Sequence, residues 1–243
     1  MLPSLIRIFG SVHKVISKTT APLREIFHCG IFQALLEVVP TIPYPCATKQ
    51  DLIEALWRTL IGNSYNEKYP APANMAESFY HNVLYMMSLA LMISRIHEPN
   101  LERFWNEHTL YKDFAKSELL PSREAILAHA DLYYLEYLRW DTSKDEIFLP
   151  TKNPLMAPYQ SRLDTVIGDR CLISTKNDLL GLAPNFVKPS DNIAFVRNSL
   201  VSFIIRKVAD GKYELVGEAY IHGLMHGELG KEGPVALKEI ILQ

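Results

Sequence analysis

The residues best placed to do chemistry lie near the C-terminus. His222 and His226 are four positions apart, and Glu228 follows closely. On a helix that spacing turns two imidazoles to one side, where a zinc ion could take them. Here Gly223 and Gly227 interrupt the run, and an alternating apolar pattern leads straight into it. Glycines suit tight backbone turns, and a turn holds two ligands poorly. Structural zinc sites take four ligands and catalytic ones three, and no third stands out here. A small metal-binding protein or metallo-enzyme using His222 and His226 is therefore the alternative reading. The leading reading has Tyr220 and His222 hydrogen-bonding across the mouth of a β structure, with Gly223, Gly227 and Glu228 shaping the turn.

Arg206 and Glu218 fall on strands expected to be neighbours. A cross-strand ion pair between them would contribute about 0.2–1 kcal/mol if exposed. A catalytic role would need a nucleophile or acid within reach, and none is marked. There is no Gly-x-Ser-x-Gly, no glycine-rich phosphate loop and no His-Glu-x-x-His. Cys171 leads into the apolar Leu172-Ile173 of a strand and reads as a core thiol. Tyr133, Tyr134 and Tyr137 read as helix packing, because the basic interleaving of a base-stacking platform is thin around them. The expectation is a chain with no catalytic residues and no cofactor.

Two kinds of element must position these residues. Up to about residue 140 the periodicity is helical. Thr48 reads as an N-cap, with Asp51 three residues on, ahead of the stripe Leu52, Ile53, Leu56, Trp57 and Leu60. Gly62 and Asn63 end that helix. Asn74 and Glu77 open a second helix whose apolar residues cover most of its circumference. Leu101, Phe104, Trp105, Tyr111 and Phe114 suggest a third. Pro121 and Ser122 start a fourth, with Ile126, Leu127, Leu132, Leu135 and Leu138 expected inward. Pro150, Pro154 and Pro158 mark residues 141–158 as a linker, and a short helix over about 159–166 follows.

From Arg170 the pattern is that of strands: 171–175, 179–182, 193–197, 200–207, 213–222 and 237–242. Asp210-Gly211 is a hairpin signal, and residues 213–222 alternate in hydropathy as a half-buried strand does. Short strands in this number leave open edges unless they close on themselves. The expected class is α+β: an N-terminal α-helical layer packed on a small C-terminal antiparallel β-barrel. The division falls between a helical region, 1–145, and a linker plus barrel, 146–243.

Bulk properties limit the function classes. The chain has 243 residues, 48% hydrophobic and 21% charged, which suits a folded domain. A net charge of −2 creates no general attraction for nucleic acid, so no nucleic-acid partner is expected. The three cysteines, Cys29, Cys46 and Cys171, are sparse and unpaired in spacing, which favours a reducing compartment. No apolar run approaches the ~18 residues of a membrane span. Residues 1–24 carry Arg7, Lys14, Lys18 and Arg24 but no acid. Leu5, Ile6, Phe9, Val12 and Ile16 could share one helical face. The chain is expected in the cytoplasm, and a mitochondrial or membrane-peripheral address through residues 1–24 is the alternative.

Residues 213–228, YELVGEAYIHGLMHGE, closely resemble a segment near the C-terminal end of fungal heterokaryon-incompatibility (HET) proteins. Upstream pieces resemble that family in the same order: Leu56-Trp57-Arg58-Thr59-Leu60-Ile61-Gly62-Asn63, Gly168-Asp169-Arg170-Cys171-Leu172-Ile173-Ser174-Thr175, Leu180-Gly181-Leu182-Ala183-Pro184 and Phe203-Ile204-Ile205-Arg206. The chain departs from the family pattern at Ser190-Asp191, where Gly-Asp is usual, and at Ser202, where a proline is common. The resemblance covers roughly 50–243 and none of the motifs of the HET domain itself, which lies upstream in full-length members. It implies a non-catalytic interaction or regulatory module from the C-terminal part of such a protein, concerned with fungal nonself recognition and programmed cell death. The partner it implies is a protein, or the missing N-terminal HET domain.

Overall fold

The computed structural model of the chain describes residues 6–23, 32–39, 44, 50–97, 101–114, 116–140, 148–209, 211–225 and 236–243. Its helices are α1 (Phe32–Leu36), α2 (Leu52–Leu60), α3 (Met75–His97), α4 (Leu101–Glu107), α5 (Thr109–Phe114), α6 (Arg123–Leu138) and α7 (Ala157–Ile167). Its strands are β1 (Ile6–Thr19), β2 (Arg170–Thr175), β3 (Leu180–Pro184), β4 (Asn192–Val196), β5 (Ser202–Ala209), β6 (Lys212–Ile221) and β7 (Lys238–Leu242).

The helices form for local reasons. Asp51 caps α2, its carboxylate accepting from the Glu54 amide at 2.7 Å. Thr48, expected in that role, lies outside the described residues. Ser122 caps α6 through the Ala125 amide. The 23-residue α3 is buried along most of its length, as its composition required, and packs against α6 and α7. The third expected helix is two short ones, because the chain turns at His108, whose Nδ1 lies 2.8 Å from the Phe104 carbonyl.

The inward face of α6 differs from expectation. Leu132, Leu135 and Leu138 are 55%, 47% and 60% exposed. The buried residues are Ile126, Ala130 and Tyr133, at i, i+4 and i+7. Apolar residues surround this helix, so hydropathy alone fixes no phase. The ring of Tyr133 settles it by packing edge-on against Tyr85 at 5.9 Å.

The strands form one sheet in the order β2-β3-β6-β5-β4-β1-β7, with β1 also pairing β2. All but β7 therefore close into a ring. The expected C-terminal strands are all present, but residues 6–19, expected as an amphipathic helix, are the 14-residue β1. That strand pairs successively with β7, β4 and β2. The ring is thus closed by a strand from the N-terminal part of the chain, a part expected to be helical throughout. Nor is the sheet wholly antiparallel, since Lys212 and Tyr213 of β6 run parallel to Ile241 and Leu242 of β7.

Alternate residues of β4 and β5 serve two cores. Ile193 and Ile204 join the main cluster, which unites the helices with the sheet through side chains such as Trp57, Phe79 and Tyr159. Ala194 and Ile205 join Ile240 of β7 in a smaller cluster on the other face. Tyr159 ties α7 to α2 and α3: its hydroxyl donates to the Trp57 carbonyl at 3.0 Å, and its amide donates to Ser78 Oγ at 3.0 Å.

Candidate functional site

Strand β6 ends at Ile221, and the chain turns at Gly223, where φ is 82°. His222, between them, is 1% exposed. Its amide donates to the Leu180 carbonyl at 2.9 Å, which docks the end of β6 on β3. The Tyr44 hydroxyl bridges the same two residues, donating to the His222 carbonyl at 3.2 Å and accepting from the Leu180 amide at 3.0 Å. His222 Nε2 lies 2.7 Å from Gln50 Oε1, and Nδ1 lies 3.0 Å from the Tyr220 hydroxyl. With Gln50 presenting its carbonyl oxygen, Nε2 carries the proton and Nδ1 accepts from Tyr220. The expected Tyr220–His222 hydrogen bond is present. A metal needs a free imidazole lone pair, and that of His222 is directed at Tyr220. His226, Gly227 and Glu228 lie outside the described residues.

Arg206 and Glu218 do not pair. Their strands are neighbours, but the register places Glu214 opposite Arg206 and Phe203 opposite Glu218. A bulge at Val216 moves the later part of β6 by one residue. Arg206 turns instead to Asp191, a residue 4% exposed, with Nε and NH2 each 2.8 Å from a carboxylate oxygen. The hydrogen bonds to Asp191 hold the guanidinium above its usual basicity. Asp191 Oδ2 also accepts from the Lys188 amide at 2.9 Å, and its backbone carbonyl accepts from Ile16 of β1 at 2.9 Å. Asp191 thus joins β5 and the approach to β4 through its carboxylate, and β1 through its backbone carbonyl.

A groove of about 310 Å³ opens where α7 meets the ring. Arg162 and Arg170 line it with Glu218, and Leu182, Ala219 and Tyr220 supply apolar surface. Arg162 also closes the C-terminal end of α2. Its Nε donates to the carbonyls of Ile61 (3.2 Å) and Ser64 (3.0 Å), and its NH2 donates to Ser64 Oγ (2.7 Å). Arg170 donates to the backbone carbonyl of Glu218 at 3.3 Å.

A family model described as the Het-6 beta-barrel domain matches residues 42–234. The chain belongs to this family. The Het-6 barrel span contains the groove, the His222 cluster and the Arg206–Asp191 pair. β1 and β7 pair with each other outside it. Heterokaryon incompatibility protein 6, OR allele, of Neurospora crassa is 36% identical over 58 residues, 23% of this chain and 8% of that protein. The match therefore spans under a tenth of that relative. No solved structure matches the chain.

Several residues of this region escape a reading of the sequence alone. Asp191 had a signal, since Ser190-Asp191 stands where the family has Gly-Asp. Arg162 had a weak one, a cation on the polar side of a short helix. Tyr44 and Gln50 had none, because only the closed ring brings them to His222.

Proposed function

We propose that this protein, a relative of heterokaryon incompatibility protein 6, works as a non-catalytic interaction or regulatory module. Its partner is a HET-type domain, which the helices and ring contact and restrain during fungal nonself recognition. The observation that supports this reading most is the state of His222. The residue best suited to chemistry spends both ring nitrogens inside the fold, on Gln50 and Tyr220. Cys171 supports it too, because burial pushes its thiol up to about 11, far from a reactive thiolate. No cofactor enters this reading, and the cytoplasm is its place of action. Among the described residues, no helix is long and apolar enough to cross a membrane.

The test has two parts. The purified chain should leave nicotinamide dinucleotide intact over hours of incubation. Titrated calorimetrically with a separately expressed HET-type domain, it should bind saturably. Turnover of the dinucleotide that copurifies with the chain and disappears in a point variant would overturn the non-catalytic reading. No heat of binding with any HET-type domain tried would overturn the partner assignment.

A further inference from the structure

We propose that the groove between α7, β2 and β6 is a ligand site, recognising a small molecule that carries one phosphate or carboxylate on an apolar body. This goes beyond the interaction role, which needs no small ligand. Arg162 is the central observation. Its hydrogen bonds go only to neutral oxygens of Ile61 and Ser64. Among the described residues no carboxylate lies within ion-pairing distance of Arg162 or Arg170, and Arg162 NH1 has no hydrogen-bond partner. Burial lowers the basicity of Arg162, as expected for a desolvated cation without a counter-charge. A half-buried guanidinium in that condition has one edge fixed by α2 and the other edge open. That open edge is the planar fork that takes a carboxylate or phosphate through two parallel hydrogen bonds.

The rest of the groove gives the ligand its shape. Leu182, Ala219 and the Tyr220 ring make an apolar wall. Tyr220 is held in place by its hydroxyl's bond to His222. Glu218 is exposed on the groove's lining, where it repels a second anionic group and accepts a hydroxyl or amine. The volume of about 310 Å³ lies at the small end of ligand pockets, typically about 300–1,000 Å³. Four of the segments that carry the family resemblance meet here, contributing Gly62, Arg170, Leu182 and Glu218 in turn. Those segments lie far apart in the chain, and folding brings them to one groove.

The full chain can be titrated with phenyl phosphate, a monoanion or dianion on a flat apolar body, by calorimetry and by thermal melting. Inorganic phosphate and benzyl alcohol serve as the charge-only and body-only probes. Phenyl phosphate should bind at one site and raise the melting temperature. Inorganic phosphate should bind more weakly, and benzyl alcohol should leave both readouts unchanged. Arg170→Gln should weaken phenyl phosphate by about tenfold or more, the loss of a charged hydrogen bond. Arg162→Lys, which keeps the charge but loses the fork, should weaken it similarly. If Arg162→Lys unfolds through its contact with α2, Arg170→Gln decides alone. Absence of phenyl phosphate binding at millimolar concentration, or unchanged affinity in Arg170→Gln, would overturn the site. Equal binding of benzyl alcohol, or of inorganic phosphate, would overturn the ligand class.

Discussion

Arg206 on β5 grips Asp191, the residue just ahead of β4, with both ends of its guanidinium edge, Nε on Oδ1 and NH2 on Oδ2, each at 2.8 Å. The carboxylate is buried and the guanidinium partly exposed. Asparagine keeps one oxygen for Arg206 Nε but loses the charge and sets an NH2 where Oδ2 accepts from both Arg206 and the Lys188 amide. Asp191→Asn should therefore lower stability by about 1.5–3 kcal/mol, measured by urea denaturation. Glu218→Gln, at the residue first expected to pair with Arg206, should stay within about 0.5 kcal/mol. The opposite ranking would show that the register between β5 and β6 is wrong.

Ser190 precedes that aspartate and holds φ at 81°. A residue with a Cβ is strained in this left-handed region, at a cost of about 1–3 kcal/mol, and glycine is not. Ser190→Gly should raise the midpoint of thermal unfolding, with a net gain near ~1 kcal/mol after the extra freedom of the unfolded glycine is subtracted.

Gly181 lies where β3 meets β6. A Cβ there would stand 2.6 Å from the Tyr220 carbonyl oxygen and 2.7 Å from Ile221 Cδ1. Backbone cannot retreat cheaply from such contacts. Gly181→Ala should cost about 1–3 kcal/mol and loosen the seam that carries Tyr220 and His222. Amide hydrogen exchange should show faster exchange at Leu182 and His222 in this variant, and unchanged rates there would argue against a tight seam.

Alkaline pH should destabilise the chain. Burial raises Cys171 from 9.0 to about 11. Burial first, then the neighbouring charges of Tyr85 and Glu136, raises Tyr133 from 10.0 to about 12. Tyr111 and Tyr159 shift upward as well, chiefly through burial. All are neutral when protonated, and unfolding returns them to ordinary values. As pH rises above about 9 the unfolded chain loses protons first, so stability is full below that point and declines as pH climbs through the folded values. Melting temperatures across this range should fall steadily. Alkylation by iodoacetamide, mapped by mass spectrometry, should reach Cys171 only after unfolding.

The parts of the fold visible in the sequence are those where one period persists. Strand β6 keeps its period on either side of the bulge at Val216, and α3 stays apolar over many turns, so both stand out. Strand β1 does not, because its register shifts between Val12 and Lys14 and again between Ile16 and Lys18. Each bulge reverses which side faces inward, and ahead of the first one Ile6, Phe9 and Val12 are exposed apolar residues spaced three apart, as on a helix. On α6 the leucines misled because they are plentiful on both sides, whereas Ile126, Ala130 and Tyr133 make the buried face. The groove and the His222 cluster were only partly legible. Their motif residues were visible, but Arg162, Tyr44 and Gln50 reach them from elements remote in sequence.

Ser17 of β1 bonds to Ser174 of β2 across 157 residues of chain. During synthesis on the ribosome, β1 therefore emerges long before any strand that can pair with it. Until then it is an apolar edge open to the wrong neighbour, the condition in which nascent chains aggregate. Arg7, Lys14 and Lys18, set among its isoleucines and valines without a single acid, keep such premature strands apart by mutual repulsion. The ring can close only once β6 has been made, so β1 waits for its last partners through the synthesis of every helix between them.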